Sequence, residues 1–434
     1  MVKKDIRRQF GFETRMLHAG HIPDAEAGAR AVPIYQTTSY VFNDAEYAAQ
    51  LFDLKQYGNI YTRISNPTTA VFEERLASLE NATGAVAVAS GMAAQFVTFM
   101  TLLSPGDEIA ASAHLYGGTV TQLANTLKKL SVSVHFVDPT DIRNWENVIT
   151  KKTKALYGEI IGNPKGSILD LEALAGLADF HHIPLIVDST FATPYLCRPI
   201  DWGAAIVLHS ATKFIGGHGN SIGGAVVDSG TFNYGLFPTI ADPSPSYHGL
   251  RFYETFGHYG FLTKVRVETV RDTGACISPM NSFLLIQGLD TLSIRMERHV
   301  ANAHKVARYL DGHPDVGKVY YAGLKDHADY ELAKKYLPLG PGAVFAFELK
   351  PGAKDPREAG RTFIESLQLF SHLANVGDAR SLVIHPASTT HQQLSDSELE
   401  ACGVSPSLIR LSIGLETTED LLWDLDQAFH AVSA

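Results

Sequence analysis

The sequence predicts an α/β fold in which a mostly parallel seven-stranded sheet lies between helices and a smaller C-terminal α+β domain follows. From about residue 84 onward, short apolar runs alternate with stretches of helical periodicity, which is the pattern of repeated βαβ units. The runs are apolar throughout, as expected of strands that are buried on both faces of a sheet. These two observations predict an α/β domain that extends to about residue 280.

Seven apolar runs are the predicted strands of this sheet. They span Ala85–Ala89, Glu108–Ala111, Ser133–Val137, Lys154–Ile161, Pro184–Ser189, Ala205–His209 and Gly223–Val227. Helical stretches lie between several of them, at Thr119–Leu130, Ile142–Ile149 and Leu171–Phe180. Such helices are the crossover connections that parallel strands require.

The stretch Ala85–Leu103 is uncharged over nineteen residues and is long enough to cross a membrane. Ser90-Gly91 divides it into a short apolar run and a helix-length stretch that ends at Ser104-Pro105-Gly106. We therefore predict a buried strand followed by a buried helix rather than a membrane segment.

Two later regions depart from the alternating pattern. Residues 236–262 hold three prolines among aromatic residues and predict a long functional loop or insertion. After Pro279, apolar residues at helical spacing from Leu289 to Leu310 predict one long helix that opens the second domain. That domain continues with predicted strands at Gly342–Leu349 and Leu408–Ile413 and a helix at Thr418–Val432.

The sequence thus divides into three predicted parts. Residues 1–65 form an irregular arm, 66–280 the α/β domain and 281–434 the α+β domain. The arm is rich in Tyr, Thr, Asn and Pro, so it either lies on the surface or packs on a neighbouring subunit.

Composition excludes several classes of protein. Hydrophobic residues make up 45% of the 434 residues and charged ones 19%, which is an ordinary globular balance. The net charge of −10 argues against a nucleic-acid-binding protein. Cys197, Cys276 and Cys402 are too far apart for a metal or redox motif and suit a reducing cytoplasm. The basic N-terminus has no apolar stretch after it, so we expect no signal peptide.

Lys213 lies in HSATKFIGGHG (209–219) between two apolar runs. A lysine in such a context either extends its ammonium to water or is buried with its charged form disfavoured. In the buried case the neutral amine can form a Schiff base with an aldehyde. Hydroxyls of Ser210 and Thr212, beside a glycine-rich turn, favour anion binding at the same place.

Asp188 ends the apolar run 184–187 and therefore lies at the carboxyl edge of the predicted sheet. Ligands of open α/β sheets bind at this edge. A carboxylate there is costly unless it faces a cation, and the protonated pyridine nitrogen of pyridoxal phosphate (PLP) is such a cation. The alternative is a helix-capping or turn aspartate.

Three further sequence features each give only weak evidence of a ligand-binding site when taken alone. Ser90-Gly91-Met92 joins a predicted strand to a helix, where backbone N–H groups hold phosphates. Tyr116, after another strand, either lies on a flat cofactor or packs in the core. Arg410 lies on the strand face opposite its apolar neighbours, where it either binds a carboxylate or faces solvent.

The segment GNSIG (219–223) matches the G-x-S-x-G nucleophile elbow and would make Ser221 a hydrolase nucleophile. That elbow requires a helix after the serine, whereas Gly223–Val227 predicts a strand. We therefore do not expect a serine hydrolase, and scattered histidines without an H-E-x-x-H pattern do not predict catalytic zinc.

In combination, these features resemble a known family. The motifs YTRISNPT, ASGMAA, HLYGGT, VDSTFATP, HSATKFIGGHG and HPASTTH occur in the order found in the Cys/Met-metabolism family of fold-type I PLP enzymes. This family contains cystathionine synthases and lyases, methionine γ-lyase and the homoserine-ester sulfhydrylases. The resemblance covers nearly the whole chain.

The resemblance implies a role for each site residue. Lys213 would bind PLP covalently, Asp188 would face the pyridine nitrogen, and Tyr116 would stack on the ring and assist proton transfer. Arg410 would hold the substrate carboxylate, and Asn163 the ring hydroxyl. The phosphate would be bound by Ser90, Gly91, Met92, Ser210 and Thr212, and by Tyr61 and Arg63 of a neighbouring subunit.

Within the family the chain resembles the O-acetylhomoserine sulfhydrylase branch, because of its length, the segment PSPSYHG and the stretch LANVGDARSLVIHPASTTHQQL. Asn375 stands where the lyases more often have a serine beside the carboxylate site. Two residues depart from the pattern: Ala205 replaces a usual acidic residue, and Met92 a frequent glutamine.

The implied reaction is a γ-replacement in methionine biosynthesis that converts O-acetyl-L-homoserine and sulfide, or a thiol, to L-homocysteine, or its thioether, and acetate. The alternatives within the family are methionine γ-lyase, O-succinylhomoserine sulfhydrylase and cystathionine γ-synthase. The resemblance also implies a cytoplasmic homotetramer, built as a dimer of dimers with shared active sites, that binds neither nucleic acid nor membranes.

Overall fold

The computed structural model describes residues 10–350, 352, 355–389 and 405–433. Cys402 and the last two residues of the HPASTTH motif, Thr390 and His391, lie outside this part of the chain. The described residues form a seven-stranded and a five-stranded sheet.

The seven-stranded sheet confirms the predicted strands and their largely parallel arrangement. Its strands are β1 (Gly84–Val88), β2 (Glu108–Ser112), β3 (Ser133–Val137), β4 (Thr153–Glu159), β5 (Leu185–Asp188), β6 (Ile206–His209) and β7 (Gly224–Asp228). Their spatial order is β1-β7-β6-β5-β4-β2-β3. Only β7 runs antiparallel to its neighbours, so the other six strands end at one edge.

Helices precede and connect the strands of this sheet. In chain order they are α1 (Phe12–His18), α2 (Ala45–Phe52), α3 (Pro67–Leu79), α4 (Gly91–Leu102), α5 (Gly117–Thr121), α6 (Ile142–Glu146), α7 (Leu171–Phe180) and α8 (Thr193–Leu196). α5 continues as π-helical and 3₁₀ turns to Leu130, which accounts for the predicted helix over 119–130.

The uncharged stretch from Ala85 to Leu103 forms β1 and α4, as predicted. Both elements are largely buried in the core of the α/β sheet. Among the residues that the structure describes, no helix is long and apolar enough to cross a membrane.

Residues 236–262, predicted as a long loop or an insertion, do not form a long loop. This segment contains the short helices α9 (Pro238–Ala241), α10 (Phe252–Phe256) and α11 (Gly260–Lys264). Phe237, Phe252 and Phe261 are buried, so the aromatic residues anchor the segment to the core. Pro238 begins α9, because the first turn of a helix needs no N–H from that residue.

The long helix that the sequence predicts from Leu289 to Leu310 is confirmed, and a separate helix precedes it. After α12 (Arg271–Thr273), the chain forms α13 (Pro279–Leu289) and α14 (Leu292–Asp311). Between α13 and α14, the Asp290 carboxylate accepts a hydrogen bond of 2.6 Å from the guanidinium of Arg75, which is buried. The predicted helix corresponds to α14, with ends that differ by at most three residues.

The second sheet contains β8 (Val316–Tyr320), β9 (Val344–Leu349), β10 (Ser371–His372), β11 (Leu382–Ile384) and β12 (Leu408–Ser412) in the order β10-β11-β12-β9-β8. The helices α15 (Tyr330–Tyr336), α16 (Pro356–Ser366) and α17 (Thr418–Ser433) belong to the same region. The smaller α+β unit predicted from the sequence is confirmed.

Candidate active site

A cavity of about 270 Å³ opens at the carboxyl edge of the seven-stranded sheet, between this edge and strand β12. Its walls include the predicted residues Ser90, Gly91, Met92, Tyr116, Asn163, Asp188, Ser210, Thr212, Lys213, Asn375 and Arg410. The turns after β1, β2, β4, β5 and β6 supply most of these side chains. The site therefore follows the rule that parallel α/β sheets bind ligands at the ends of their strands.

Lys213 lies in the turn that follows β6 and points its amine into the cavity. Nζ donates a hydrogen bond of 2.5 Å to Oδ1 of Asn375. Burial lowers the pKa of Lys213, and the positive charge of Arg410 lowers it further. Lys213 is partly buried, so the structure is nearer to the buried alternative, which favours a neutral amine.

Asp188 ends β5, in register with Glu159 at the end of β4. Its Oδ1 accepts a 2.9 Å hydrogen bond from the Thr190 N–H, and Oδ2 accepts one of 3.3 Å from Gln95 Nε2. Burial raises the pKa of Asp188, although Thr190, the nearby His209 and Gln95 oppose this shift. A buried carboxylate of this kind suits a cationic ligand group.

The start of α4 lies directly against the turn after β6. The Ser90 side chain caps the helix by accepting a hydrogen bond from the Ala93 N–H at 3.1 Å. A Cβ on Gly91 would lie only 2.6 Å from Cβ of Ser210, so only glycine allows this approach. The free N–H groups of the first helical turn and the Ser210 hydroxyl thus share one small space, which suits a phosphate group.

Thr212 and Met92 also border this space. The Thr212 hydroxyl donates to the Gly223 carbonyl and accepts from the Gly223 N–H, both at 3.1 Å, which fixes the turn that carries Lys213 to the start of β7. The Met92 carbonyl accepts a 3.1 Å hydrogen bond from Gln122.

Arg410 approaches from the second sheet. Its Nη1 donates to Oδ1 of Asn163 at 3.4 Å, and its Nη2 donates to the carbonyl of Asn375 at 3.3 Å. Both acceptors are neutral, and burial lowers the pKa of Arg410 to about 10. A buried guanidinium with neutral neighbours suits a carboxylate ligand.

Tyr116 precedes α5 and has about half of its surface exposed, 51%. Its backbone N–H donates a 2.7 Å hydrogen bond to Oε1 of Glu159. Burial and the neighbouring Asp188 raise the pKa of Glu159 well above its usual value, and the hydrogen bond from Tyr116 opposes this shift. The exposed ring of Tyr116 is free to pack on a ligand.

Tyr61 and Arg63 do not line the cavity of their own chain. The Arg63 guanidinium lies 5.5 Å from the centre of the Tyr61 ring and donates to the Arg271 carbonyl at 2.9 Å. Tyr61 is 41% exposed. Their position outside this cavity is compatible with the predicted role, which is to bind the phosphate in a neighbouring subunit.

Several residues of the cavity were absent from the prediction. Gln95, Thr119, Glu159, Thr190 and Phe191 all line it. Glu159 ends β4 in the structure, but the apolar residues Ile160 and Ile161 extend the predicted strand beyond it, so the sequence did not mark it as a strand end. Gln95 lies one helical turn after Gly91 on α4, a spacing that places both on one face.

The hydrolase alternative has no structural support. GNSIG leads directly into strand β7 rather than into a helix, so the nucleophile elbow is not formed. The Ser221 hydroxyl is buried and has no hydrogen-bond partner among the described residues.

The cavity fits PLP on three independent observations. Gly91 and Ser210 form a close-packed cradle at a helix start, the buried Asp188 carboxylate lacks full charge compensation, and the Lys213 amine has a lowered pKa. These are the groups that a phosphate, a pyridinium nitrogen and an aldehyde respectively need.

Comparisons with known proteins agree with this geometry. The model of the family described as Cys/Met metabolism PLP-dependent enzyme matches residues 13–430. The O-acetyl-L-homoserine sulfhydrylase of Leptospira meyeri is 49% identical, with 98% of each chain covered. The homocysteine synthase of Schizosaccharomyces pombe is also 49% identical, with 96% of this chain and 97% of that protein covered.

A solved structure extends the likeness to three dimensions. A protein of Campylobacter jejuni subsp. jejuni assigned as an O-acetylhomoserine (thiol)-lyase superposes with a TM-score of 0.93, at 41% identity. The alignment covers 97% of this chain and 100% of the other, and that structure carries N'-pyridoxyl-lysine-5'-monophosphate. The present chain thus belongs to the Cys/Met metabolism family of PLP-dependent enzymes.

Proposed function

We propose that the protein catalyses a PLP-dependent γ-replacement in methionine biosynthesis, in which O-acetyl-L-homoserine and sulfide, or a thiol, give L-homocysteine, or its thioether, and acetate. The observation that carries this proposal is the presence of Lys213, with a lowered pKa, and Arg410, with neutral neighbours, in one cavity opposite Asp188. The similarity to the O-acetyl-L-homoserine sulfhydrylase of Leptospira, the homocysteine synthase of Schizosaccharomyces and the Campylobacter protein supports the choice of substrate.

In this proposal Lys213 would hold PLP covalently, and Asp188 would pair with the pyridine nitrogen. When bound, PLP supplies an electron sink for negative charge that develops on the substrate carbons. Tyr116 packs on the ring, and Asn163 binds the ring hydroxyl. The phosphate binds to the start of α4 and the turn after β6, through Ser90, Gly91, Met92, Ser210 and Thr212.

Arg410 orients the substrate through its α-carboxylate, beside Asn375. Lys213 is the proton carrier, because its lowered pKa increases the share of neutral amine, which is the form that accepts a proton. It removes the Cα proton, and a second deprotonation at Cβ allows the Cγ–O bond to break so that acetate leaves with the bonding electrons. Sulfide then forms the Cγ–S bond, and Lys213 and Tyr116 return the protons to carbon.

We further propose that the active site is shared between subunits. Tyr61 and Arg63, on the arm formed by residues 1–65, lie outside the cavity of their own chain and bind the phosphate in a neighbouring subunit. The α/β part (66–280) carries the cofactor, and the α+β part (281–434) carries Arg410 and Asn375. A cytoplasmic homotetramer, a dimer of such dimers, follows from the same resemblance.

The test is an assay of the purified enzyme with O-acetyl-L-homoserine and sulfide, in which homocysteine and acetate are measured. We expect equal amounts of the two products, visible absorption from bound PLP, and no activity in Lys213→Ala. Ser221→Ala is a control that should keep full activity. Faster release of 2-oxobutyrate and a thiol from methionine would instead identify a methionine γ-lyase. Preference for the succinyl ester, or for cysteine as the sulfur donor, would identify the other two alternatives.

A further inference from the structure

We propose that Gln95 is a positioning residue for Asp188 and for the helix that begins beside Tyr116. The inference rests on the proposed role of Asp188 opposite the pyridine nitrogen of PLP. It concerns a side chain that was absent from the sequence prediction and that reaches the cavity wall from α4.

The Gln95 amide lies at the centre of a buried cluster. Nε2 is 3.3 Å from Oδ2 of Asp188, 2.9 Å from the hydroxyl of Tyr157 and 3.0 Å from Oγ1 of Thr119. Only 3% of Gln95 is exposed, and Tyr157 and Thr119 are fully buried. The four side chains come from β4, β5, α4 and α5, so the amide joins four separate elements.

The chemistry of Asp188 fixes the direction of the amide. An ionised carboxylate only accepts hydrogen bonds, so the NH₂ group and not the carbonyl of Gln95 must face it. The two hydroxyls are able to accept the remaining N–H. The Gln95 carbonyl oxygen is buried and has no hydrogen-bond partner among the described residues.

This arrangement is a poor way to stabilise a fold. A buried carbonyl without a partner costs free energy, and an apolar side chain of the same size would avoid that cost. The amide therefore contributes something other than packing. Of the side chains to which the amide donates, Asp188 is the one with a proposed role in binding PLP.

That hydrogen bond acts on the orientation and the charge of Asp188. The backbone of Thr190 binds one carboxylate oxygen and Gln95 binds the other, so the plane of the carboxylate is fixed from both sides. A hydrogen bond to the ionised form also favours that form, against the burial that disfavours it. Only an ionised Asp188 pairs with a protonated pyridine nitrogen.

Through Thr119 the same amide also reaches Tyr116. Thr119 lies in the first turn of α5, and Tyr116 is the residue immediately before that helix. Gln95 thus links the start of α5, which carries Tyr116, to the Asp188 carboxylate. In the proposed site these two residues contact the ring and the pyridine nitrogen of PLP.

The test uses Gln95→Met, which keeps the length of the side chain and removes the amide. The matched control is Thr101→Val on the same helix. Thr101 is buried and donates its hydroxyl to the Val97 carbonyl at 2.7 Å, away from the cavity. Both variants are examined for PLP dissociation rate, for the absorption spectrum of bound PLP, and for unfolding of the apoenzyme in urea.

For Gln95→Met we expect PLP to dissociate about 10- to 100-fold faster, which is the effect of losing one hydrogen bond to a charged group. We also expect an altered absorption spectrum, with kcat reduced more than KM is changed. Thr101→Val should leave PLP dissociation and the spectrum unchanged. If Gln95→Met does not fold, Gln95→Glu, which keeps the shape and loses the NH₂ donor, is measured in its place.

The decisive comparison is made in the background of Asp188→Asn, which preserves the shape of the carboxylate. If Gln95 acts through Asp188, adding Gln95→Met to Asp188→Asn changes PLP dissociation by less than about twofold, because coupled residues are not additive. A full additional effect, or an unchanged spectrum in Gln95→Met alone, would overturn the proposal. PLP dissociation is measured without substrate, so this result is independent of which reaction the enzyme catalyses.

Discussion

Replacing Gly91 by alanine tests whether the close approach of α4 to the turn after β6 is needed for the cofactor. Gly91 is the first residue of α4, and an added Cβ would lie 2.6 Å from Cβ, 2.9 Å from Cα and 3.0 Å from Oγ of Ser210. Carbon atoms in contact are normally about 3.5–4.0 Å apart. One of the two segments must therefore move by about 1 Å.

The size of the effect follows from this displacement. Overpacking of a close contact costs about 1–3 kcal/mol of stability. A shift of about 1 Å also takes phosphate hydrogen bonds out of their normal range of about 2.7–3.2 Å. Loss of one such bond to a charged group weakens PLP binding by about 10- to 100-fold.

The assay is urea unfolding of the apoenzyme together with a titration of PLP followed by its absorption. Gly176→Ala is the matched control, because Gly176 lies in helix α7 and an added Cβ there would meet no atom within 4 Å. This control should gain about 0.5–1 kcal/mol of stability and bind PLP normally. If Gly91→Ala binds PLP as tightly as the unmodified enzyme, the proposed phosphate site is wrong.

Three other predictions address charged and buried groups. Burial lowers the pKa of His299 to about 4, so the unfolded chain gains a proton before the folded one as pH falls from 6.5 to 4. The free energy of unfolding should therefore drop by up to about 3 kcal/mol. His299→Gln should lessen that drop in urea unfolding at pH 4.5. In the apoenzyme, the rate at which an amine reagent labels Lys213 should rise with pH with a midpoint below the usual pKa of 10.5, and Arg410→Met should raise that midpoint. An unchanged midpoint in Arg410→Met would contradict the argument that the charge of Arg410 lowers the pKa of Lys213. The Arg295 guanidinium donates to three backbone carbonyls in the interior. Arg295→Met should therefore lower the free energy of unfolding in urea by about 3 kcal/mol or more. Arg308 is exposed on the same helix, so Arg308→Met should change this free energy little.

The strands of the main sheet and the residues at their ends could be predicted from the sequence. Apolar runs and the turns between them are local features, and Asp188 and Lys213 follow such runs directly. Because parallel strands end at one edge, the sequence predicts that these two residues, 25 positions apart, lie close together. The cavity at that edge contains both.

Other parts of the site depend on contacts that no local pattern encodes. Gln95 has an ordinary helical position in the sequence, and only the packing of α4 against β5 brings its amide to Asp188. The distance of Tyr61 and Arg63 from the cavity of their own chain is likewise invisible in the motif that contains them.

The sequence by itself determined the order of the strands along the chain, the edge at which ligands bind and the residues that resemble a PLP site. The tertiary structure decided which side chains meet, for example that Arg410 crosses from the second sheet to Asn163. It also decided that residues 236–262 fold into short helices and that a separate helix, α13, precedes the predicted long helix. The physical reason is that periodicity records which face of an element is buried, whereas the partner on that face is selected by the packing of the whole chain.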